Sequence, residues 1–197
     1  MAHDTVPIFP LHTVLFPDGP LPLRVFEPRY LDMVSRCLKE ESKFGVILIT
    51  SGSEVGTANM ASVGTLAVIA DWYQGSDGIL GLTARGVTRF RLDRVDRQTD
   101  GLYLGEIEVL APESRQALPE EYKSMASLLE VVIDDLGKLY QDIDKEYDDA
   151  TWVGCRFAEI LPVSNDQKQY CLELNDPVER LAYVQPLLRS IRAERSQ

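Results

Sequence analysis

The 197-residue chain is 45% hydrophobic and 26% charged, apolar enough for one large domain or two small packed halves and too balanced for a disordered or fibrous chain. Its net charge of −11 and pI near 4.6 create a field that repels phosphate backbones and anionic lipid, so neither nucleic acid nor a membrane is an expected partner.

Met-Ala-His-Asp at the start carries no basic stretch, and Pro7, Pro10 and Pro17 interrupt any apolar signal core. The most apolar runs, Phe44 to Ile49 and Leu128 to Ile133, fall far short of the ~20 residues that cross a bilayer. A cytoplasmic protein is expected. Cys37, Cys155 and Cys171 are odd in number and widely spaced, which suits a reducing compartment and offers neither a disulfide framework nor a paired metal knuckle.

In chain order, Val6 to Phe16 and Leu21 to Phe26 read as extended segments, because their prolines disfavour helix and confine them to edges or strand starts. Pro28 then opens a helix whose stripe is Tyr30, Leu31, Val34 and Leu38. Phe44 to Thr50 and Thr65 to Tyr73 are continuous apolar runs fit for central strands. The Gly75-Ser76-Asp77-Gly78 cluster supplies a tight reversal, so the runs on either side should pair as a hairpin. After Gly86, Phe90 and Leu92 alternate with Arg89, Arg91 and Asp93, and Tyr103, Ile107 and Val109 alternate with Glu106 and Glu108, which gives each strand one wet face. Short strands, one helix and no βαβ rhythm predict a compact mixed sheet or partly closed barrel.

The period changes in the Pro112 to Pro119 segment, which sets the expected domains at 1–111 and 112–197. Beyond it, Tyr122, Met125, Leu129, Val132, Leu136, Leu139 and Ile143 mark one face of a helix of roughly 25 residues. Trp152, Val153, Phe157, Ile160 and Leu161 form a shorter amphipathic helix ending before Pro162. Ser164 with Gln167 has the pattern of a capping box, and Asp176-Pro177-Val178-Glu179 opens a last helix carrying Leu181, Val184, Leu188 and Ile191. Pro186 lies inside that stripe and predicts a kink or break.

Catalytic signatures are missing from this pattern. The one Gly-Lys pair, Gly137-Lys138, is followed by Leu139, has Val132 where a phosphate-binding loop needs its first glycine, and falls inside the expected long helix. Ser53 and Ser76 directly follow glycine and lack the spacing of a nucleophile elbow. Of the two imidazoles, His3 lies in the N-terminal tail and His12 in a proline-rich segment that favours a structural or surface role. Cys155 and Cys171 read as buried small hydrophobes. The acidic run Asp142, Asp144, Glu146, Asp148, Asp149 lacks the glycine and terminal glutamate of a calcium loop, with Tyr147 and Val153 in those places, and reads as a solvated helix end or loop. Arg85, Arg89, Arg91, Arg94 and Arg97 are interleaved with Asp93, Asp96 and Asp100 and read as an exposed, ion-paired strand. Trp72 and Tyr73 are read as closing the barrel ahead of contacting a ligand.

Pro7-Ile8-Phe9-Pro10-Leu11-His12-Thr13-Val14-Leu15-Phe16-Pro17-Asp18-Gly19, continued by Leu21-Pro22-Leu23-Arg24-Val25-Phe26-Glu27-Pro28-Arg29-Tyr30, resembles the opening signature of the substrate-binding N-terminal domain of the Lon protease family. Val63-Gly64-Thr65-Leu66-Ala67 and Gly86-Val87-Thr88-Arg89-Phe90-Arg91 follow in that family's order and approximate spacing, and the Phe-Glu-Pro-Arg-Tyr version resembles short stand-alone bacterial members. The resemblance implies an α+β fold, a PUA-like mixed β-barrel with one helix followed by an α-helical bundle, the two packed as one unit. It implies a module that recognises protein substrates, without the ATPase and Ser-Lys protease modules that do the chemistry in full-length relatives.

The expected function is a non-catalytic protein- or peptide-binding adaptor with no cofactor and no metal. Its expected partners are unfolded or extended protein segments, with a separate protease or chaperone and self-association as further classes. The alternatives are RNA binding through the arginines around Arg89, and a small-molecule enzyme in a cleft between the two halves. Arg24, Glu27, Arg29 and Tyr30 are expected to clamp the start of the first helix. The candidate partner-contact residues are Phe16, Arg24, Phe26, Glu27, Arg29, Tyr30, Trp72, Tyr73 and Arg89.

Overall fold

The computed structural model describes residues 4–52 and 58–195; His3 and Ser53 lie outside them. The chain resolves into two compact units that divide between Pro112 and Glu113. In the first, β1 (Asp4–Leu11), β2 (Pro20–Val25), helix α1 (Pro28–Glu40), β3 (Phe44–Gly52), β4 (Ala58–Met60), β5 (Val63–Gln74), β6 (Leu80–Arg97) and β7 (Tyr103–Val109) follow in order. The second holds α2 (Lys123–Leu136), α3 (Ala150–Ile160), α4 (Asn165–Glu173) and α5 (Pro177–Arg195).

Strand pairing closes a ring. β1 pairs antiparallel with β7, β7 with β6, β6 with β5 and β5 with β3, and β3 returns to β1 as a parallel neighbour. Full closure removes the edges that an open sheet would expose along that path. Ile8 and Phe90, both fully buried, fill the interior. Gly45, Gly64 and Gly105, from three different strands, sit against those two side chains where a Cβ would collide with them. A second apolar layer lies on the outer face under α1, where Phe9, Val46, Ala67, Leu82 and Ala84 meet Tyr30, Met33, Val34 and Cys37.

The prolines of β1 are accommodated by a split register. Pro7 pairs only toward β7 and Pro10 only toward β3, so each proline has a ladder on one side. The strand stops at Leu11, five residues short of the extended segment read from the sequence. The following loop is still internal, since Val14, Leu15 and Phe16 are buried, and it is pinned by Thr65 Oγ1 donating to the Leu15 carbonyl at 2.6 Å and by Asp18 N–H donating to the Gly86 carbonyl at 3.0 Å.

The α1 stripe is Tyr30, Met33, Val34 and Cys37, and Leu38 is exposed. Spacing of 3, 4 and 7 from Tyr30 puts Met33, Val34 and Cys37 on one side, whereas eight residues turn Leu38 away. Alternation in β6 is broken in the same way. An extra residue at Val87, opposite the Leu66 to Ala67 step of β5, shifts the phase. Arg89, read as part of a wet face, is only 5% exposed and lies opposite the fully buried Thr65, whereas Arg91, two residues on, is exposed as expected. Val109 at the end of β7 is exposed instead of buried.

The second unit departs from the sequence reading at its first helix. The expected helix of roughly 25 residues ends at Leu136, because Gly137 takes φ +52 and its N–H returns to the carbonyls of Ile133 and Asp134. A short 3-10 turn, Gly137–Tyr140, carries the remaining apolar positions. α3 is the central element. Every residue from Trp152 to Ala158, Arg156 included, is buried, where a single amphipathic face was expected. Asp149, read as part of a solvated run, is 5% exposed and caps α3 by accepting from Thr151 N–H at 3.1 Å and from Gln116 N–H at 3.0 Å. The Ser164 to Gln167 capping box is present, and Asp176 Oδ1 accepts the Val178 and Glu179 amides at the start of α5. Of the kink or break expected at Pro186, the break does not occur: α5 runs through it as one helix, with the Ser190 hydroxyl donating to the Pro186 carbonyl at 3.1 Å.

Candidate functional site

The sequence candidates fall into two groups by accessibility. Phe16, Arg29, Tyr30 and Arg89 are buried. Arg24 is exposed and Glu27 half-buried, and Phe26, Trp72 and Tyr73 are 67%, 55% and 60% exposed.

The buried group builds a frame. After β2 ends at Val25, the Glu27 carboxylate accepts from Arg29 Nε at 3.0 Å and from Nη2 at 2.8 Å. Arg29 Nη1 donates to the Gly101 carbonyl at 2.7 Å, which ties the start of α1 to the turn between β6 and β7. Gly101 has φ +87 and lies beside that guanidinium, so a left-handed residue without a side chain is required there. The Arg29 guanidinium stands 4.6 Å from the Tyr30 ring centre, and Tyr30 stacks on Phe9 at 3.9 Å. Glu27, Arg29 and Tyr30 thus form a clamp at the helix start, and Arg24, the fourth residue expected in it, pairs instead with Asp77. Phe16 is buried elsewhere in the unit, its carbonyl occupying the space where Gly86 would carry a Cβ.

The exposed group sits where β2, β6 and β5 run side by side beyond the closed ring. Tyr73 of β5, Gly81 of β6 and Arg24 of β2 are direct neighbours, as are Trp72, Leu82 and Leu23. Adjacent rows point to opposite faces, so Tyr73 and Trp72 flank the same stretch of β5 from two sides. The Tyr73 ring lies across Gly81, leaving no room for a side chain there. Beside it, Arg24 pairs with Asp77 of the turn, and Asp77 Oδ1 accepts the Ile79 amide at 3.1 Å. That backbone hydrogen bond, followed by the charge of Arg24, holds the Asp77 carboxyl below its ordinary value. Together Arg24, Tyr73, Gly75, Asp77, Ile79 and Gly81 bound a surface depression of about 240 Å³. Phe26 follows Val25, which is opposite Leu80 at the end of the same ladder.

This corrects the sequence reading of Trp72 and Tyr73, which assigned them to barrel closure. Closure is complete at Ala67 of β5, and the strand continues past it, carrying its aromatics into solvent. Sequence reasoning also missed Gly81 and Asp77 as parts of the depression. The Gly-rich turn was legible, but the cross-strand row through Gly81 exists only once β2 pairs with β6.

The remaining chemistry is structural. Arg91 pairs with Glu108 of β7, and Arg94 with Asp96, so these arginines do pair with acids, in the first case across strands. In the second unit Arg180 is buried and holds Glu113 by a two-bond fork at 2.7 and 2.9 Å, while also donating to the carbonyls of Cys171 and Leu174. A cavity of about 680 Å³ in that unit is lined by Ala117, Leu118, Ala126 and Tyr147. The cations on its rim are engaged by carboxylates, Arg115 with Asp148 at 3.0 Å and Lys123 with Glu120. All three cysteines are buried, and burial pushes the Cys171 thiol up to about 11. Among the described residues no group of three or more His, Cys, Asp or Glu side chains could hold a metal ion, and no helix is long and apolar enough to cross a membrane.

Residues 5–190 match the family model described as the ATP-dependent protease La (LON) substrate-binding domain. The chain is 25% identical to a Lon protease of Desulfosudis oleivorans over 90% of its own length and 24% of that relative, and 27% identical to one of Parabacteroides distasonis over 64% and 16% respectively. It therefore spans about a quarter or less of the curated relatives it matches. Among solved structures it is similar to a Lon N-terminal domain protein from Xanthomonas campestris, at 38% identity and a TM-score of 0.77, covering 93% of this chain and 98% of that one. The N terminal domain of a Mycobacterium avium complex Lon protease shares the fold at 15% identity and a TM-score of 0.61, covering 93% and 97%.

Proposed function

This chain belongs to the ATP-dependent protease La (LON) substrate-binding domain family, and on that premise we propose that it is a non-catalytic module that binds unfolded or extended polypeptide. The observation that carries the reading is the set of exposed large aromatics, Phe26, Trp72 and Tyr73, at the outer end of the three neighbouring strands β2, β6 and β5. Exposed aromatics are costly to leave wet and are the side chains that dominate protein contacts. In this reading Phe26, Trp72, Tyr73 and Arg24 touch the partner. Phe16, Glu27, Arg29, Tyr30 and Arg89 act from within, by fixing the strands and the helix start that present them.

The module recognises and another active centre cleaves, which places it in a proteolytic system beside a protease or chaperone. Of the five arginines of β6, Arg89 is buried and Arg91 and Arg94 hold carboxylates, which leaves Arg85 and Arg97 as a narrow basis for an RNA-binding reading.

The test is equilibrium binding of a reduced, carboxymethylated protein, which stays unfolded, against the same protein in its native form. The unfolded probe should bind and the native one should not. Replacing Phe26, Trp72 and Tyr73 together by serine should weaken binding about tenfold or more while leaving the thermal midpoint nearly unchanged. Equal binding of the two forms, or an unaffected triple variant, would sink the reading.

A further inference from the structure

Beyond Ala67, β5 keeps β6 on one side, and among the described residues no strand pairs with its other side. The open stretch ends in Ala70, Asp71, Trp72, Tyr73 and Gln74, all exposed. Which backbone groups face outward follows from the turn. Gly75 N–H donates to the Ile79 carbonyl at 2.9 Å, and antiparallel ladders alternate. Tyr73 and Asp71 therefore spend their backbone groups on β6, and Gln74 and Trp72 turn theirs to the open side. The Trp72 amide agrees, since a side chain has taken it: Asp71 Oδ1 accepts it at 2.8 Å.

A comparison inside the same sheet shows that this edge is less guarded than its counterpart. The other outer strand, β2, is blunted by Pro20, Pro22 and Arg24, and proline and cationic residues are the usual protection against strand addition. β5 from Val63 to Gln74 contains no proline, lysine or arginine. Its milder guards are the extra residue at Ala70 and the Asp71 carboxylate on the Trp72 amide, which leave the Gln74 amide and the Trp72 and Gln74 carbonyls for a partner.

We propose that the open edge of β5 at Asp71–Gln74 receives an extended polypeptide segment by strand addition, with Tyr73 and Trp72 gripping its alternate side chains from the two faces. The complement of a row of outward amides and carbonyls is another extended backbone. The protein's charge of −11 selects the flanks of that segment, favouring apolar stretches bordered by lysine or arginine. This rests on the polypeptide-binding reading above and names how that surface reads its ligand: main chain for affinity, aromatics for apolar preference.

The probe is an apolar peptide of about eight residues flanked by lysines, made in two forms, one with an unmodified backbone and one with alternate amides N-methylated. Both are titrated by fluorescence anisotropy against the 197-residue chain. The unmodified peptide should bind, and methylation should weaken it about tenfold or more, the loss expected when one or two net hydrogen bonds disappear. Gln74→Pro, which removes an outward donor, should reproduce the loss, and Gln74→Ala, which keeps it, should not.

Equal binding of the two peptides overturns strand addition and leaves the polypeptide-binding reading standing. Binding of neither overturns both. A dimer of the chain alone that Gln74→Pro dissolves, measured by sedimentation, overturns the assigned occupant in favour of a second copy.

Discussion

Arg180 illustrates what a single buried charge demands. Its guanidinium is 1% exposed, and five donors cannot be left dry, so it takes Glu113 and two carbonyls at once. Gly154 of α3 leaves the room for its aliphatic stem. Glu113→Ala should therefore cost about 3–5 kcal/mol in urea unfolding at neutral pH, because it strands the cation, whereas an exposed pair such as Arg94 with Asp96 should cost under about 1 kcal/mol when broken. Comparable losses from the two variants would show that the fork is not a stability element. Asp77 is the corresponding case at the candidate surface. Its carboxyl is lowered by the Ile79 amide and then by Arg24, so the turn gains from its charge above the ordinary value of 3.8 and loses that gain as pH falls through the lower folded value. The Ile79 amide resonance should accordingly shift in an acid titration with a midpoint below 3.8, and Asp77→Asn should abolish the shift.

At the scale of elements, backbone geometry decides where periodicity is interrupted. Leu139 and Ile143 continue the apolar spacing of α2 past Gly137, which is why the sequence reads as one helix. Spacing records only the face of a side chain. The turn at Gly137 depends on φ +52, which a side chain disfavours. Nothing stands within 4 Å of a Cβ placed there, so Gly137→Ala isolates the backbone cost, about 1–3 kcal/mol by thermal or urea unfolding. A neutral result would mean the chain can continue the helix after all. Pro186 is the converse. A kink or break was expected from its lost amide, and α5 avoids the break because Leu181, Val184 and Leu188 are buried on one face and hold both halves in place.

For the molecule as a whole, the acidic balance acts on partners more than on fold. A charge of −11 favours approach of cationic flanks over distances of roughly a Debye length and fades as salt shortens that length. Exchanging the flanking lysines of the probe peptide for glutamates should weaken binding severalfold at about 0.05 M salt. The gap should narrow at about 0.5 M, where screening acts within a few ångströms. A gap that persists at high salt would locate the preference in a specific contact instead of the field.

The sequence alone determined the change from strands to helices, the β5–β6 turn, the caps at Ser164 and Asp176 and the clamp from Glu27 to Tyr30, because each depends on residues close together in the chain or on a strict repeat. Tertiary structure decided the rest. Arg89 is buried opposite Thr65, a residue roughly twenty positions earlier on the partner strand, and the row Tyr73, Gly81, Arg24 exists only because β2 crosses to β6. The exposure of Trp72 follows from where ring closure ends on β5, a property of the partner strands and not of the apolar run that contains it. Which aromatics pack and which stay wet is set by long-range register, and hydrophobicity along one strand carries no record of that register.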